Sequence, residues 1–216
     1  MIKADHAKWA EFIFNPYLKR LLKKSFCDFR VINELPEIDK AKGLLITPNH
    51  FSWWDGFFVY WLNKNILSKK LFVMMLEEQL KRYWFFQKVG CYSIDLNDKR
   101  KMITSLKYSI EVLSDPDNLV TIYPQGEIQP YDTKNITLKS GIEFLSKSSK
   151  TEFQVLPIAF RIHHTNERLP VVYVRFGKIL TSKEVSQHPV IFNEEFTENI
   201  NKLNLEYSNG DYKSIL

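Results

Sequence analysis

Short apolar runs alternate with longer amphipathic ones along most of the chain. Gly43–Pro48 reads as a buried strand stopped by its proline, Leu71–Met75 as a second, and Cys91–Asp95 as a third. Asn118–Tyr123 is a fourth, halted by Pro124. Phe153–Phe160 and Val171–Phe176 follow, and Asp28–Asn33 is a short strand before them all. Between these lie an aromatic helix from Trp53 to about Asn63 and one through Tyr83–Phe86 ending at Gly90. A third helix runs from Asp98 to Leu113, and a fourth around Gly141–Ser148. The alternation predicts an α/β fold, a mixed, largely parallel sheet flanked by helices. Pro157, inside its strand, predicts an edge, a bulge or a bend.

The ends of the chain read differently. Trp9, Phe12, Ile13, Tyr17, Leu21 and Leu22 recur at helical spacing, with Lys19, Arg20, Lys23 and Lys24 beside them. Such a stripe suits an anionic membrane surface, and equally a helix packed on the core. Asn15-Pro16 predicts a break. The division is therefore 1–30, N-terminal amphipathic helices, and 31–216, a single α/β domain with an acidic, helical and solvated tail beyond Asn193.

Composition sharpens this only in places. The 216 residues are 44% hydrophobic and 25% charged, as in one ordinary globular domain, but 14% are aromatic, an excess that suits contact with lipid. The net charge of +5 is concentrated in residues 1–30. No nucleic-acid-binding signature accompanies it, so nucleic acid is not expected as a partner. No apolar run reaches the ~20 residues of a transmembrane helix, and the first residues lack the pattern of a secretory signal. The expected location is cytoplasmic, peripheral at the inner membrane face. Cys27 and Cys91 stand far apart without a CxxC, so neither a disulfide framework nor a zinc cluster is expected.

Candidate chemistry sits at two strand ends. Asn49-His50-Phe51-Ser52-Trp53-Trp54-Asp55 follows the Gly43–Thr47 run directly. With His50 in the loop and Asp55 in the first helical turn, the carboxylate reaches back to Nδ1 and leaves Nε2 free to take a proton. The plainer alternative makes Ser52 an N-cap, Asp55 a partner of the helix dipole, and His50 a loop residue. The second pattern is Tyr123-Pro124-Gln125-Gly126-Glu127. There a turn exposes backbone N–H groups and lets a ligand approach Gly126, while Gln125 and Glu127 can hydrogen-bond a polyol; it also reads as a surface turn.

In this order the motifs resemble the lysophosphatidate/glycerol-phosphate acyltransferase family. Its NHxSxxD block is matched by Asn49, His50, Ser52 and Asp55. A second block is matched in part by Gly90-Cys91-Tyr92-Ser93-Ile94-Asp95, a third, FPEGTRS, is echoed by Tyr123–Glu127, and a fourth looks like Val155-Leu156-Pro157-Ile158. The resemblance covers about residues 40–180.

The resemblance implies a glycerol-phosphate acyltransferase-like fold and direct transfer of a fatty acyl group from acyl-CoA or acyl-carrier protein to a hydroxyl of a lysolipid-like acceptor. His50 would be the general base and Asp55 its orienter. Asn49, Ser52, Gln125, Gly126, Glu127 and Pro157 would be substrate-binding residues, and no metal, cofactor or covalent acyl-enzyme would be needed. The aromatic helix after the base suits an acyl tunnel or plain core packing. Where the family usually carries arginines in its second and third blocks, this chain has Leu96 and Ile128. Guanidinium grips a phosphate in a bidentate manner, so these departures point to an acceptor without a phosphate monoester unless Lys99, Arg100 or Lys101 substitutes. A non-enzymatic lipid-surface protein of the same fold is the second reading.

Overall fold

Among the residues described in the computed structural model, 1–133, 136–207 and 211–216, nine strands form one sheet. They are β1 (Asp28–Val31), β2 (Leu44–Pro48), β3 (Lys70–Leu76), β4 (Cys91–Ile94), β5 (Asn118–Thr121), β6 (Gln154–His163), β7 (Val171–Phe176), β8 (Leu180–Thr181) and β9 (Lys213–Ser214). The order is β4-β3-β5-β2-β6-β7-β1-β9, with β8 also on β6. The first five in that order run parallel, whereas β7 lies antiparallel to β6 and β9 antiparallel to β1. All five residues of β2 are buried. A strand covered on both faces reads as a continuous apolar run, which is why the sequence exposes it so clearly.

Helices cover both faces. On one side lie α1 (Lys8–Ser25) and α2 (Asp55–Leu62), which share a core with Leu44, Ile46, Val73 and Leu119. On the other lie α4 (Lys99–Leu113), α5 (Gly141–Ser148), α6 (Ser182–Gln187) and α7 (Pro189–Glu206), around Leu45, Val120, Val155 and Tyr173. α3 (Glu77–Arg82) joins β3 to a 3₁₀ segment, Trp84–Val89.

Four expectations need correction. α1 is one helix running through Pro16. The stripe Ala10, Phe14, Leu18 and Leu22 is buried in the core, while Pro16 faces outward, where water can serve the carbonyl left without a donor. The helix expected through Tyr83–Phe86 is split at Tyr83 between α3 and the 3₁₀ segment. Four consecutive aromatics have no 3.6-residue spacing, and the split turns Phe85 and Phe86 inward while Trp84 stands out. Gly90, at φ +108°, ends that segment, and a Cβ there would lie 2.1 Å from the Leu71 carbonyl oxygen.

The region beyond Asn193 is helical but not solvated. In α7, Phe196, Ile200 and Leu203 are buried, Asn199 donates to the Pro157 and Arg175 carbonyls, and Glu206 pairs with Arg175. Finally, Pro157 is not on an edge. It lies opposite Thr47 of β2, at the point where β6 exchanges β8 for β7 as its other neighbour, and its carbonyl accepts from the Gly177 N–H at 2.8 Å. That interruption spares the ladder the donor proline lacks.

Candidate active site

Because β2 lies beside β5, the two sequence motifs, more than 70 residues apart, emerge next to each other at the C-terminal edge of the sheet. This is where open α/β sheets bind ligands. Asn49 fastens the first loop: its Nδ2 donates to the Phe160 carbonyl at 3.0 Å, and the Phe160 N–H donates to its Oδ1 at 2.7 Å. His50 follows in the loop, and Asp55 opens α2 with no exposed surface.

One carboxylate oxygen of Asp55 organises the turn. Its Oδ2 accepts from His50 Nδ1 at 2.8 Å, from the Phe51 N–H at 2.8 Å and from the Ser52 N–H at 2.9 Å. Burial raises the Asp55 pKa, opposed by the hydrogen bond from His50 and those from the Ser52 and Phe51 backbone. With Nδ1–H committed to the carboxylate, Nε2 carries the lone pair. No group among the described residues hydrogen-bonds that nitrogen. Ser52 is not the side-chain cap of α2; its Oγ accepts from the Trp54 N–H at 3.2 Å, inside the turn.

The second motif holds His50 from the other side. The Tyr123 ring stacks on the imidazole, centroids 4.3 Å apart and planes 26° from parallel. Gln125 is buried, its Oε1 accepting the His50 N–H at 2.5 Å, and the Gln129 N–H donates to the His50 carbonyl at 2.9 Å. Gly126 turns the chain at φ +73°, and its N–H closes the turn onto the Tyr123 carbonyl at 3.1 Å.

These groups border a cavity of about 1500 Å³. His50, Ser52, Gly126 and Glu127 line it. Asn49, Asp55 and Gln125 stand behind and position the lining groups. Pro157 is buried within the sheet and does not reach the cavity. The aromatic helix divides by face. Trp53, Gly56, Phe57 and Tyr60, at helical spacing, line the cavity, whereas Trp54 and Phe58 pack on Phe26. Leu96 and Ile128 are both exposed at its rim, and Lys101 pairs with Asp95 at 3.1 Å. Cys91 is in the wall, but burial pushes its thiol up to about 12, which makes it a poor nucleophile. Tyr123 is the residue that sequence reasoning missed. Nothing in the one-dimensional pattern says that β5 neighbours β2, and the stacking depends on that.

The sequence matches the family described as Acyltransferase over residues 29–161, more than half of the chain. The chain belongs to the Acyltransferase family. The matched span begins within β1, takes in β2 to β5, the His50–Asp55 turn and the Tyr123–Gly126 turn, and ends within β6. Among solved structures, the chain is similar to the crystal structure of PlsC, the 1-acyl-sn-glycerophosphate (LPA) acyltransferase of Thermotoga maritima. The TM-score is 0.61 and the identity 16%, covering 89% of this chain and 78% of that one. This likeness establishes the shared fold, a mostly parallel sheet flanked by helices with an N-terminal helix. Comparison with curated protein sequences finds no match. No helix among the described residues is long and apolar enough to cross a membrane.

Proposed function

We propose that this acyltransferase moves a fatty acyl group from a thioester donor, acyl-CoA or acyl-carrier protein, to a hydroxyl of a lysolipid-like acceptor. The observation that carries the reading is the His50 Nδ1–Asp55 Oδ2 hydrogen bond beside a large apolar cavity. His50 Nε2 takes the proton of the acceptor hydroxyl as its oxygen attacks the thioester carbonyl. Asp55 keeps the imidazole in the right tautomer and offsets the imidazolium charge. The carbonyl oxygen gains negative charge, which suits a backbone N–H near the Gly126 turn other than that of Gly126, which closes onto the Tyr123 carbonyl. Collapse of the tetrahedral intermediate expels the thiolate, which takes the proton back from the His50 imidazolium and leaves as thiol. The residues supply a base and an orienter, and the scheme forms no acyl-enzyme.

The rim supports an acceptor without a phosphate monoester. Leu96 and Ile128 are apolar, and Glu127 and Lys139 are the only Asp, Glu, Lys or Arg side chains among the described lining residues. One charge of each sign suits a zwitterionic or neutral headgroup better than a dianion.

The mouth supports work at a membrane surface. Trp9, Phe12 and Trp84 stand exposed beside the lining residues Ile13, Tyr17, Trp53 and Tyr83, and exposed Lys8, Lys19, Arg20, Lys23 and Lys24 flank them on α1. Aromatics at an acyl boundary and cations near anionic headgroups fit a peripheral site at the inner membrane face. The test is thiol release from acyl-CoA and acyl-carrier protein over lysophosphatidate, glycerol phosphate, lyso-aminolipids and glycolipids, with His50→Ala in parallel. Turnover that requires His50 is expected, and absence of turnover with every pair would favour a lipid-surface protein without activity.

A further inference from the structure

Two successive residues of β6 reach the loop that carries His50, by different means. The Phe160 backbone grips Asn49, the residue before the base. Arg161, next in the strand, is tied to the residue after it through one intermediary. Its guanidinium lies over the Tyr131 ring, 5.3 Å from the centroid, and that ring packs edge-on against Phe51 at 5.0 Å. From the other side the Tyr207 ring, at the end of α7, lies 4.2 Å from the same guanidinium. Asn204 of α7 closes the arrangement. Its Oδ1 accepts from Arg161 Nη1 at 2.6 Å and from the Tyr131 hydroxyl at 2.7 Å. None of these four side chains borders the cavity.

Tyr131 anchors the far end of a segment that clamps the base. Between β5 and α5 the chain runs through residues 122–140 with no helix or strand among its described residues, so side chains must hold it in place. Within it the Gln125 side chain takes the His50 N–H, and the Gln129 N–H holds the His50 carbonyl. The start of this clamp is fixed by β5 and the Gly126 turn. Its end is fixed at Tyr131, just past Gln129. Burial lifts the Tyr131 phenol to about 12, against the opposing effect of Arg161, so the hydroxyl stays a donor. Packing alone does not account for an arginine beside it. The Arg161 Nε is buried with no hydrogen-bond partner among the described residues, which costs stability that an apolar side chain would not lose. What a guanidinium adds is a charged plane that holds an aromatic ring and an amide oxygen at once.

We infer that Arg161 is a positioning residue for His50, acting through Tyr131 on the segment that clamps the His50 backbone. Its effect on rate rests on the acyl-transfer reading. An imidazole displaced by about 1 Å loses its line to the acceptor hydroxyl, which can cost up to about a hundredfold. Its effect on the clamp does not depend on that reading and is open to separate measurement.

The test compares Arg161→Met, which keeps a long side chain without the guanidinium, with Tyr131→Leu and the double variant. kcat and KM are measured with the donor–acceptor pair that the wild type turns over fastest, and amide hydrogen exchange is read by NMR on the full chain. Each single variant is expected to lower kcat about tenfold with both KM values within about twofold, because no altered side chain touches the cavity. The double variant is expected to lose about tenfold as well, not a hundredfold, because both changes cut the same link. The His50 and Gln129 amides should exchange at least about tenfold faster in all three, while those of β3 and β4 keep their wild-type rates. Arg161→Lys, which returns a cation to the Tyr131 ring, should recover part of kcat and of this protection. Unchanged kcat, a loss shared with KM, separate losses that multiply, or wild-type protection at His50 and Gln129 would overturn the inference. So would faster exchange throughout the sheet, which marks a residue of general stability. If the wild type turns nothing over, acyl transfer falls, and the exchange rates alone decide the role of Arg161.

Discussion

The Tyr123 ring lies over the His50 imidazole at 4.3 Å, while its buried hydroxyl has no hydrogen-bond partner among the described residues. Burial, with the nearby Asp55 and Cys91, lifts that phenol well above its ordinary pKa, so it stays protonated. Ring and hydroxyl therefore make separable contributions. Tyr123→Phe removes an unsatisfied buried group and is expected to raise Tm by about 2–4 °C, measured by calorimetry. Tyr123→Ala removes the surface that holds the imidazole, and is expected to lower kcat about tenfold.

Asp55 sets stability against activity. Its folded pKa is raised by burial, so ionising this carboxyl is harder in the folded protein than in the unfolded chain. Above the ordinary value, ionisation of this group costs stability that a neutral isostere does not lose. Asp55→Asn is expected to hold or raise Tm at pH 7 while kcat falls by about 10³, because the amide no longer offsets the imidazolium. A parallel fall in Tm and activity would instead mark Asp55 as a structural residue.

Asp28 gives the opposite sign. Burial would raise its pKa, but hydrogen bonds from Ser214, Arg30 and the Phe29 N–H outweigh this and lower it. A depressed carboxylate stabilises the fold above its ordinary value of 3.8, and the contribution is lost as pH falls through the folded value. Asp28→Asn is expected to lower Tm by about 2 °C at neutral pH, with the difference closing below pH 3.8. Melting curves between pH 3 and 7 measure it. Since Ser214 lies in β9, the loss should appear first as protease sensitivity of the last residues.

The proposed membrane contact is tested at the outward face of α1. Trp9→Glu with Phe12→Glu is expected to reduce co-sedimentation with anionic liposomes at least about tenfold without lowering Tm, since Phe12 is 81% exposed. Deleting residues 1–27 would not isolate this contact. It would remove Phe14, Leu18 and Leu22 from the core along with the outer face.

What the sequence made legible follows from burial. The five parallel strands are covered on both faces, so their apolar runs stand out, and loop-plus-first-turn spacing was enough to bring Asp55 to His50 Nδ1. Features that depend on strand order stayed hidden: the stacking of Tyr123, the turn of Gln125 toward the His50 backbone, and the removal of Pro157 from the site by β6 being internal. Pro16 misled for a related reason. A local rule predicts a break, but four buried residues on the opposite side of α1 keep the helix whole.

The two-sided build of α1 also bears on handling. Its inner stripe is satisfied by the core, but Trp9, Phe12, Ile13 and Tyr17 each leave half or more of their surface to solvent in an isolated molecule. In dilute buffer such a molecule will seek another greasy surface: a vessel wall, a detergent monomer or a second copy of itself. Its apparent size should then grow with concentration and shrink on adding a mild detergent, and assays run without lipid will report the behaviour of clusters.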